Sequence, residues 1–281
     1  QGEQVATLWQ VLYGESMDII FAHKTFKWSN EAKGKAAVHC VIIGIANETV
    51  AEKTEKKLFE SDGTLNIVQS IGPYLIANSK IIVVGQTKPI SNVTAMLYGN
   101  KPVDGGHLIL SKSEKEELLA ENPEAELYVR ILMGSKELIQ GIKRYCLWLE
   151  PEDLKEALSI ANIKNRVQAV REMRLKSVDK GANKLAQTPY RFRDQHNPST
   201  AIVVPRVSSE KRAYIPMAFV EKDVIIIDSA QMIPDGSLYD FGIINSAAHM
   251  AWMRAVAGRL EMRYRYSSVL VYNTFVCPEA R

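Results

Sequence analysis

Short runs of β-branched and aromatic residues recur along the chain and alternate with stretches that have the apolar spacing of helices. Runs of this length predict buried strands, and their alternation with helices predicts a mixed α/β fold. Strands are predicted at 17–23, 36–45, 81–85, 107–110, 145–149, 201–205, 213–219, 223–228 and 267–275. Helices are predicted over Glu3–Tyr13, 114–121, much of 164–193 and about 246–260.

Composition limits the class of protein. Of the 281 residues, 46% are hydrophobic and 24% charged, which suits one large domain or two ordinary ones and argues against a disordered chain. Apolar runs such as Ala37–Ile45 are too short to cross a bilayer, so a membrane-spanning protein is not expected. Cys40, Cys146 and Cys277 form no C-x-x-C pair, which argues against a disulfide scaffold and structural zinc and fits a reducing cytoplasm. Cys40 and Cys146 lie in apolar runs and are predicted to be buried thiols.

Motifs for a self-contained active site are missing from the sequence. It has no G-x-G-x-x-G after a strand, no phosphate-binding loop, no H-E-x-x-H and no G-x-S-x-G. His39 and His249 lie in apolar surroundings and are interpreted as core residues. We therefore predict neither catalytic residues nor a metal site.

Two basic segments favour nucleic-acid binding. The segment 164–193 has nine Lys and Arg against two acidic residues, a net charge of +7, whereas the whole chain is at +3. The second segment, 205–216, concentrates Arg, Lys and Ser between two predicted strands, a composition that suits phosphate binding. The alternative for 164–193 is a solvated helix face.

A third segment, 258–268, alternates charged and apolar residues: Glu261, Arg263 and Arg265 are interleaved with Met262, Tyr264 and Tyr266. On a strand the three charged side chains would share one face. Arginine can contact guanine through two hydrogen bonds, and a glutamate accepts one from the cytosine amino group. An exposed ladder of salt bridges is an equal alternative.

Several long motifs resemble one family. The segment FAHKTFKWSNEAKGKAAVHCVIIGI (21–45) looks like the end of the adenine-N6 methyltransferase domain of the MmeI-like, type IIL restriction–modification enzymes. IGPYLI, GNKPVDGGHLIL, PRVSSEKRAYIPMAF, HMAWMRAVAGRLEMRYRYSS and VYNTF follow in the order of that family's target-recognition domain. The tail VCPEAR departs from the family's usual P-W-P-like ending, and the family's glycine-rich S-adenosylmethionine motif and N-P-P-Y motif do not occur. We therefore expect a truncation of a longer polypeptide.

The resemblance implies a division of the chain and roles for particular residues. It implies a methyltransferase end at 1–47 (a terminal helix and β-hairpin of a Rossmann-like domain), a linker at 48–57, an α/β target-recognition domain at 58–275 and an altered tail at 276–281. An aromatic residue of the FKW motif, Phe26 first and Trp28 second, would pack on the flipped adenine, unless both belong to the hairpin core. Base edges would be contacted by Ser229, Glu261, Arg263 and Arg265. Candidates for the DNA backbone are Lys88, Lys101, Arg191, Arg193, Arg206, Ser208, Ser209, Lys211 and Arg212.

The expected function is that of a DNA sequence-recognition module from a bacterial methyltransferase and restriction enzyme. Its partners would be double-stranded DNA and the missing methyltransferase domain in cis. S-adenosylmethionine, and Mg²⁺ for cleavage, would belong to the parent enzyme, and the fragment alone would neither methylate nor cut. The alternatives are a non-catalytic protein-interaction or inhibitor domain with a basic surface and a freestanding enzyme with an unfamiliar site.

Overall fold

The computed structural model describes residues 2–28, 38–77 and 80–278. The α-helices are α1 (Gln4–Gly14), α2 (Glu48–Ala51), α3 (Lys112–Glu121), α4 (Ser135–Gln140), α5 (Leu154–Ala157), α6 (Ala161–Leu175), α7 (Lys180–Leu185), α8 (Leu238–Ile244) and α9 (Ala247–Val256). Two 3-10 helices, Pro123–Tyr128 and Pro151–Asp153, and a π-helical turn, Ser268–Tyr272, accompany them. Among the described residues no helix has the length and apolar character needed to span a membrane.

Within the described residues the strands belong to four sheets, and all except β1 and β2 are short. They are β1 (Met17–Trp28), β2 (Val38–Asn47), β3 (Lys56–Phe59), β4 (Leu65–Val68), β5 (Leu97–Tyr98), β6 (Ile109–Leu110), β7 (Val129–Met133), β8 (Arg144–Leu147), β9 (Thr200–Pro205), β10 (Val207–Ser208), β11 (Ala218–Glu221), β12 (Val224–Ile226), β13 (Ala230–Pro234), β14 (Gly258–Leu260) and β15 (Arg263–Arg265). With the helices they form a mixed α/β fold, which confirms the predicted fold class.

The chain divides into two compact units. The first consists of residues 1–93, 207–214 and 243–281, and the second of 94–206 and 215–242. The chain therefore leaves the first unit and returns to it twice.

The first unit contains a sheet of order β2-β1-β3-β4, in which β1 pairs antiparallel with β2 and parallel with β3. Helix α1 covers it because Val5 and Trp9, one helical turn apart, face the same side and are buried against Ile19 and Leu58. The second sheet of this unit has the order β10-β15-β14.

The charged run 48–57, predicted as a linker, contains α2 and the start of β3. Asn47 begins the helix by accepting a hydrogen bond from the Thr49 N–H at 3.1 Å. Lys56 is buried, donates to the Ala51 carbonyl at 2.7 Å and lies 3.8 Å from the Asp18 carboxylate. The charge of Lys56 is thus satisfied internally, which allows a strand where polarity alone indicates a connection.

The second unit contains two further four-stranded sheets, of order β11-β9-β13-β5 and β12-β7-β8-β6. Helix α6 packs through Ile163, Val167 and Val170, at the i, i+4, i+7 spacing, into a core shared with β7 and β8. Helix α3 begins at a capping box of Ser111 and Glu114, so it starts two residues before the predicted helix 114–121.

Two predicted strands are wrong. Residues 81–85 form no ladder because the Val83 N–H donates to the Tyr74 hydroxyl, 2.9 Å away, and that hydroxyl donates back to the Val83 carbonyl. Within 267–275, residues Ser268–Tyr272 form a π-helical turn, which Ser267 caps by accepting from the Leu270 N–H at 3.4 Å. The predicted burial of Cys40 and His39 is also wrong: both are half-exposed on β2, whereas Cys146 is buried.

Candidate nucleic-acid interface

Arg263 and Arg265 project from the exposed face of β15, and Tyr264 between them is buried on the other face. The predicted shared face therefore holds for the two arginines but not for Glu261. Glu261 lies in the two-residue turn between β14 and β15 with a φ of 58°, a left-handed conformation that favours glycine. From this turn its Oε2 accepts a hydrogen bond from Arg263 Nη2 at 2.9 Å.

The acid and the arginine form an open ion pair. The Glu261 side chain is 63% exposed and the Arg263 side chain is 46% exposed. An exposed pair of this kind contributes about 0–1 kcal/mol to stability, so the two side chains can separate at little cost. Both alternatives from the sequence, a surface salt bridge and a pair of base contacts, are compatible with this geometry.

The buried face of the same hairpin is held by an arginine and a tyrosine. The Arg259 guanidinium lies over the Tyr264 ring, 3.8 Å from its centroid, and Nη1 donates to the Met262 carbonyl at 3.0 Å. The turn that carries Glu261 is thereby attached to its own strand. This support makes the hairpin a fixed platform for the exposed arginines.

A second support follows directly after β15. Tyr266 is buried, and its hydroxyl lies 2.8 Å from Nε2 of His249, a fully buried residue of α9. Burial lowers the pKa of His249 to about 4, so the imidazole is neutral at physiological pH. His249 also lies edge-on to Phe275, with ring centroids 4.6 Å apart. Its interpretation as a core residue agrees with this burial.

Ser229, the other candidate for base contact, is exposed in a tight corner of the second unit. Its Oγ accepts from the Ser135 N–H at 3.2 Å, and its carbonyl accepts from the Ser135 hydroxyl. A Cβ at Gly134 would lie 2.2 Å from Ser229 Oγ, so only glycine allows this approach. The next residue, Ala230, is buried, which leaves Ser229 as the accessible member of that pair.

Arg206 lies in the same corner. Its N–H donates to Ser135 Oγ at 3.1 Å, its Nη1 donates to the Asp228 carbonyl at 2.8 Å, and its guanidinium lies 4.9 Å from the Tyr98 ring centroid. The side chain is half-buried. The backbone of this arginine is held by Ser135, and its side chain is oriented by Asp228 and Tyr98.

The loop after Arg206 is only partly available to a phosphate. Lys211 and Arg212 are exposed, and Ser209 Oγ accepts the Lys211 N–H at 3.2 Å. Ser208 is 3% exposed because its partner in the β10–β15 ladder is the buried Tyr264. The expectation that Ser208 contacts the DNA backbone is therefore corrected.

Much of the +7 charge of segment 164–193 is used inside the second unit. Arg166 pairs with Glu114 at 2.8 Å, and hydrogen bonds from Arg166 and Ser111 lower the pKa of Glu114 to about 2. Arg191 lies 3.4 Å from Glu150, and Arg193 lies 2.9 Å from Asp194.

Arg174 from the same segment is fully buried. Its guanidinium donates five hydrogen bonds of 2.7–3.2 Å, all to backbone carbonyls, at Pro102, Val103, Leu185, Thr188 and Arg191. Burial lowers the pKa of Arg174, whereas the negative charge of Asp104 raises it. Arg174 thus organises two loops and contacts no solvent.

Those two loops carry further candidates for backbone contact. Lys101 and Arg193 are exposed, and the Arg193 N–H donates to the Lys101 carbonyl at 2.9 Å, which brings the two residues together. The Lys101 N–H donates to the Asp194 carboxylate at 3.1 Å. Lys88, in the first unit, is also exposed.

Phe26 and Trp28 lie at the end of β1, which runs further than the predicted strand. A bulge between His23 and Phe26 shifts the register, and the two aromatic rings lie 6.3 Å apart. Trp28 is 57% exposed, whereas Phe26 is half-buried. His23 stacks face to face on Phe59, with ring centroids 4.0 Å apart. The aromatic side chains of β1 are therefore packed at His23 and open to solvent at Trp28. The rest of the FKW connection, residues 29–37, lies outside the described residues.

Within residues 2–28, 38–77 and 80–278, no group of three His, Cys, Asp or Glu side chains could hold a metal ion. The side chains that sequence reasoning missed are Tyr98, Ser135 and the buried Arg174. Only the helical spacing of Arg174 with Val167 and Val170 gave a signal that it faces the core.

Fold and surface together define a mixed α/β binding module that presents arginines and lysines to solvent. The family model of the MmeI target recognition domain matches residues 77–279, and that of the MmeI DNA-methyltransferase domain matches residues 1–60. The chain therefore belongs to the MmeI family and carries its target-recognition domain together with part of its methyltransferase domain.

Two relatives agree with this assignment. DNA methyltransferase A of Bacillus subtilis (strain 168) is 44% identical over 280 residues, which are 99% of this chain and 32% of that protein. The solved structure of the Type IIL restriction–modification enzyme MmeI in complex with DNA matches with a TM-score of 0.90 at 39% identity, over 99% of this chain and 38% of that one. The chain thus spans about a third of the length of either relative.

Proposed function

We propose that this chain recognises a specific duplex DNA sequence on behalf of an adenine-N6 methyltransferase and restriction enzyme of the type IIL kind. The observation that carries the proposal is the β14–β15 hairpin, which presents Arg263 and Arg265 to solvent on a platform fixed by Arg259 and Tyr264. Arginines held in this way can contact guanine edges in the major groove. The matching MmeI structure is a DNA complex, which supports the same conclusion.

Different segments of the chain have different roles under this proposal. Residues 1–47 complete the methyltransferase domain, 48–57 join it to the recognition domain at 58–275, and 276–281 form an altered tail. Phe26 and Trp28 pack against the adenine after it leaves the duplex, since an aromatic surface replaces the stacking that the base loses. The open aromatic tip at Trp28 supports this role.

Charged residues divide into two groups under the proposal. Glu261, Arg263, Arg265 and Ser229 contact base edges, the first two on one C·G pair, with the acid on cytosine and the arginine on guanine. Lys88, Lys101, Arg193, Ser209, Lys211 and Arg212 lie along the phosphates and supply affinity without sequence preference. Arg191 is the weakest of the backbone candidates because Glu150 lies 3.4 Å from it.

Methyl transfer and cleavage belong to a longer polypeptide under this proposal. The residues present do not fit S-adenosylmethionine, since the sequence lacks the family's glycine-rich and N-P-P-Y motifs. The chain therefore acts with a methyltransferase domain in cis, in the bacterial cytoplasm, where the DNA and the cofactor both occur.

The test compares two variants of the full-length protein that carries this chain. Arg263→Ala should relax the preference at one base pair, because a bidentate contact supplies about 1–3 kcal/mol of discrimination. Lys211→Ala should weaken binding to all sequences about equally and reduce the slope of log K against log salt by about 0.9. Sequencing of the methylated sites in host DNA gives the preference, and titration at several salt concentrations gives the slope.

A different pair of results would contradict these roles of Arg263 and Lys211. If Arg263→Ala leaves the methylated motif unchanged while Lys211→Ala alters it, the two roles are reversed. A chain that binds acidic proteins but selects no duplex sequence would instead be an interaction or inhibitor domain, for which the Glu261–Arg263 ion pair would be a surface salt bridge.

A further inference from the structure

The side chain of Asn100, in the segment that follows β5, is fully buried and joins two other segments of the second unit. Its Nδ2 donates to the His196 carbonyl at 2.8 Å and to the Ile226 carbonyl at 3.0 Å, and its Oδ1 accepts from the His196 N–H at 2.6 Å. All three hydrogen bonds are to backbone atoms. The carboxamide therefore fixes the distance between the chain at His196 and the chain at Ile226.

The backbone around Asn100 holds both ends of the turn that carries Ser229. The Asn100 N–H donates to the Ile226 carbonyl at 2.7 Å, and the Gly99 N–H donates to the Ala230 carbonyl at 3.1 Å. A Cβ at Gly99 would collide with a carbonyl oxygen of this turn, so only glycine allows the close approach. The position of Ser229 is thus tied to the position of Asn100.

On its other side, Asn100 is attached to two loops that carry candidates for phosphate contact. Lys101 follows it directly, and the Arg193 N–H donates to the Lys101 carbonyl at 2.9 Å. The side chains of Lys101 and Arg193 are both exposed. His196, to which the carboxamide is bound, lies on the same loop as Arg193. Asn100 therefore connects the loops that carry these cations to the turn that carries Ser229.

We propose that Asn100 is a positioning residue for sequence recognition, which holds Ser229 at a fixed distance from the loops that contact phosphates. The inference rests on the proposed function. Phosphate contacts fix the register of a protein on the duplex, whereas a base contact selects only when its polar atoms lie within about 0.5 Å of the required place. A turn that shifted relative to the phosphate-binding loops would still allow DNA binding but would select its base pair less well.

Asn183 of α7 provides a matched control. Its Nδ2 donates to the carbonyls of Arg174, Leu175 and Ser177 at 2.6–3.4 Å, so this side chain also makes three hydrogen bonds to the backbone of the second unit. None of these three carbonyls belongs to the turn that carries Ser229. Asn183→Ala and Asn100→Ala thus remove the same number of hydrogen bonds, but only the second change releases the turn.

The experiment uses the full-length protein that carries this chain. Sequencing of the methylated sites in host DNA identifies the motif of the wild type. Kd is then measured for a duplex with that motif and for duplexes in which each base pair is changed singly, at several salt concentrations. The variants are Ser229→Ala, Arg263→Ala, Asn100→Ala and Asn183→Ala, each checked for native circular dichroism. Asn100→Ser, which leaves a smaller space but cannot bridge both segments, replaces the alanine variant if that variant does not fold.

We expect Ser229→Ala to reduce discrimination at one base pair about fivefold, the value of one hydrogen bond. Asn100→Ala should reduce discrimination at the same base pair by a similar factor and leave the base pair that Arg263→Ala affects unchanged within about twofold. It should also keep the slope of log K against log salt, because the phosphate contacts remain. Asn183→Ala should change neither the discrimination nor the slope.

Three results would overturn the inference and can be told apart. If Ser229→Ala affects one base pair but Asn100→Ala changes it no more than Asn183→Ala does, Asn100 has only a structural role and the proposed function stands. If Arg263→Ala affects a base pair while Ser229→Ala affects none, the turn contacts no base and the inference fails without the rest. If neither Ser229→Ala nor Arg263→Ala affects any base pair, the proposed function fails and the inference fails with it.

Discussion

Replacement of the buried Arg174 by methionine tests how the second unit is held together. The substitution keeps an unbranched apolar stem but removes the donors for five backbone carbonyls. A net value of about 1 kcal/mol per hydrogen bond gives about 5 kcal/mol, from which relief of the buried charge subtracts a part. We expect a loss of about 3–5 kcal/mol. The matched control is Arg171→Met, one helical turn earlier and exposed, which should change stability by no more than about 0.5 kcal/mol.

Hydrogen exchange measured by mass spectrometry suits this prediction because it reports each unit separately. A loss of 3 kcal/mol raises the exchange of the most protected amides about 150-fold. Peptides from α6, α7 and the loops at 101–103 and 185–191 should show it first, since these segments meet at Arg174. An increase below about tenfold, or an equal effect of Arg171→Met, would refute the view that the carbonyl cage stabilises the unit.

Three other outcomes are expected. The pKa of His249 is about 4 in the folded chain and 6.5 in the free side chain. The stability that this difference contributes, about 3 kcal/mol, is therefore present above pH 6.5 and is lost as the pH falls towards 4. Urea unfolding from pH 7 to 4 should show this slope, and His249→Gln should flatten it. Glu261→Gly should stabilise the hairpin by about 1 kcal/mol, measured by hydrogen exchange, while removing the ion pair with Arg263; destabilisation would contradict the strained turn. In the full-length protein, Phe26→Ala should weaken retention of the extrahelical adenine about tenfold, read from 2-aminopurine fluorescence at the target position, and more than Trp28→Ala; the reverse order would favour Trp28.

The fold class could be predicted because hydrophobic periodicity dominates in the long elements. Helices α1 and α6 and strands β1, β2 and β9 form where their apolar patterns predict them, although no residue of β2 is buried. Short elements could not be predicted, because their ends depend on single hydrogen bonds: the Tyr74 hydroxyl removes Val83 from any ladder, and Ser267 turns an apolar run into a helical turn.

The candidate site was predictable only in part. Alternation along 258–268 correctly placed Arg263 and Arg265 on one face, but a turn at Glu261 interrupts that alternation. A sequence gives no sign of which arginines are neutralised, so Arg166 and Arg174 counted as available charge although both are used internally. The burial of Ser208 could not be predicted either, because it depends on the pairing of β10 with the distant strand β15.

The first unit consists of three separate segments of the chain, which has a practical consequence for re-engineering specificity. The hairpin 258–265 belongs to the same compact body as residues 1–60, which match the methyltransferase model, although almost two hundred positions separate them along the chain. A chimera that exchanges everything after a single crossover near residue 60 would replace one part of this compact unit and keep the other. Grafting only the exposed side chains of β15 leaves the packing of the unit intact, so individual point substitutions are the safer route to a new target site.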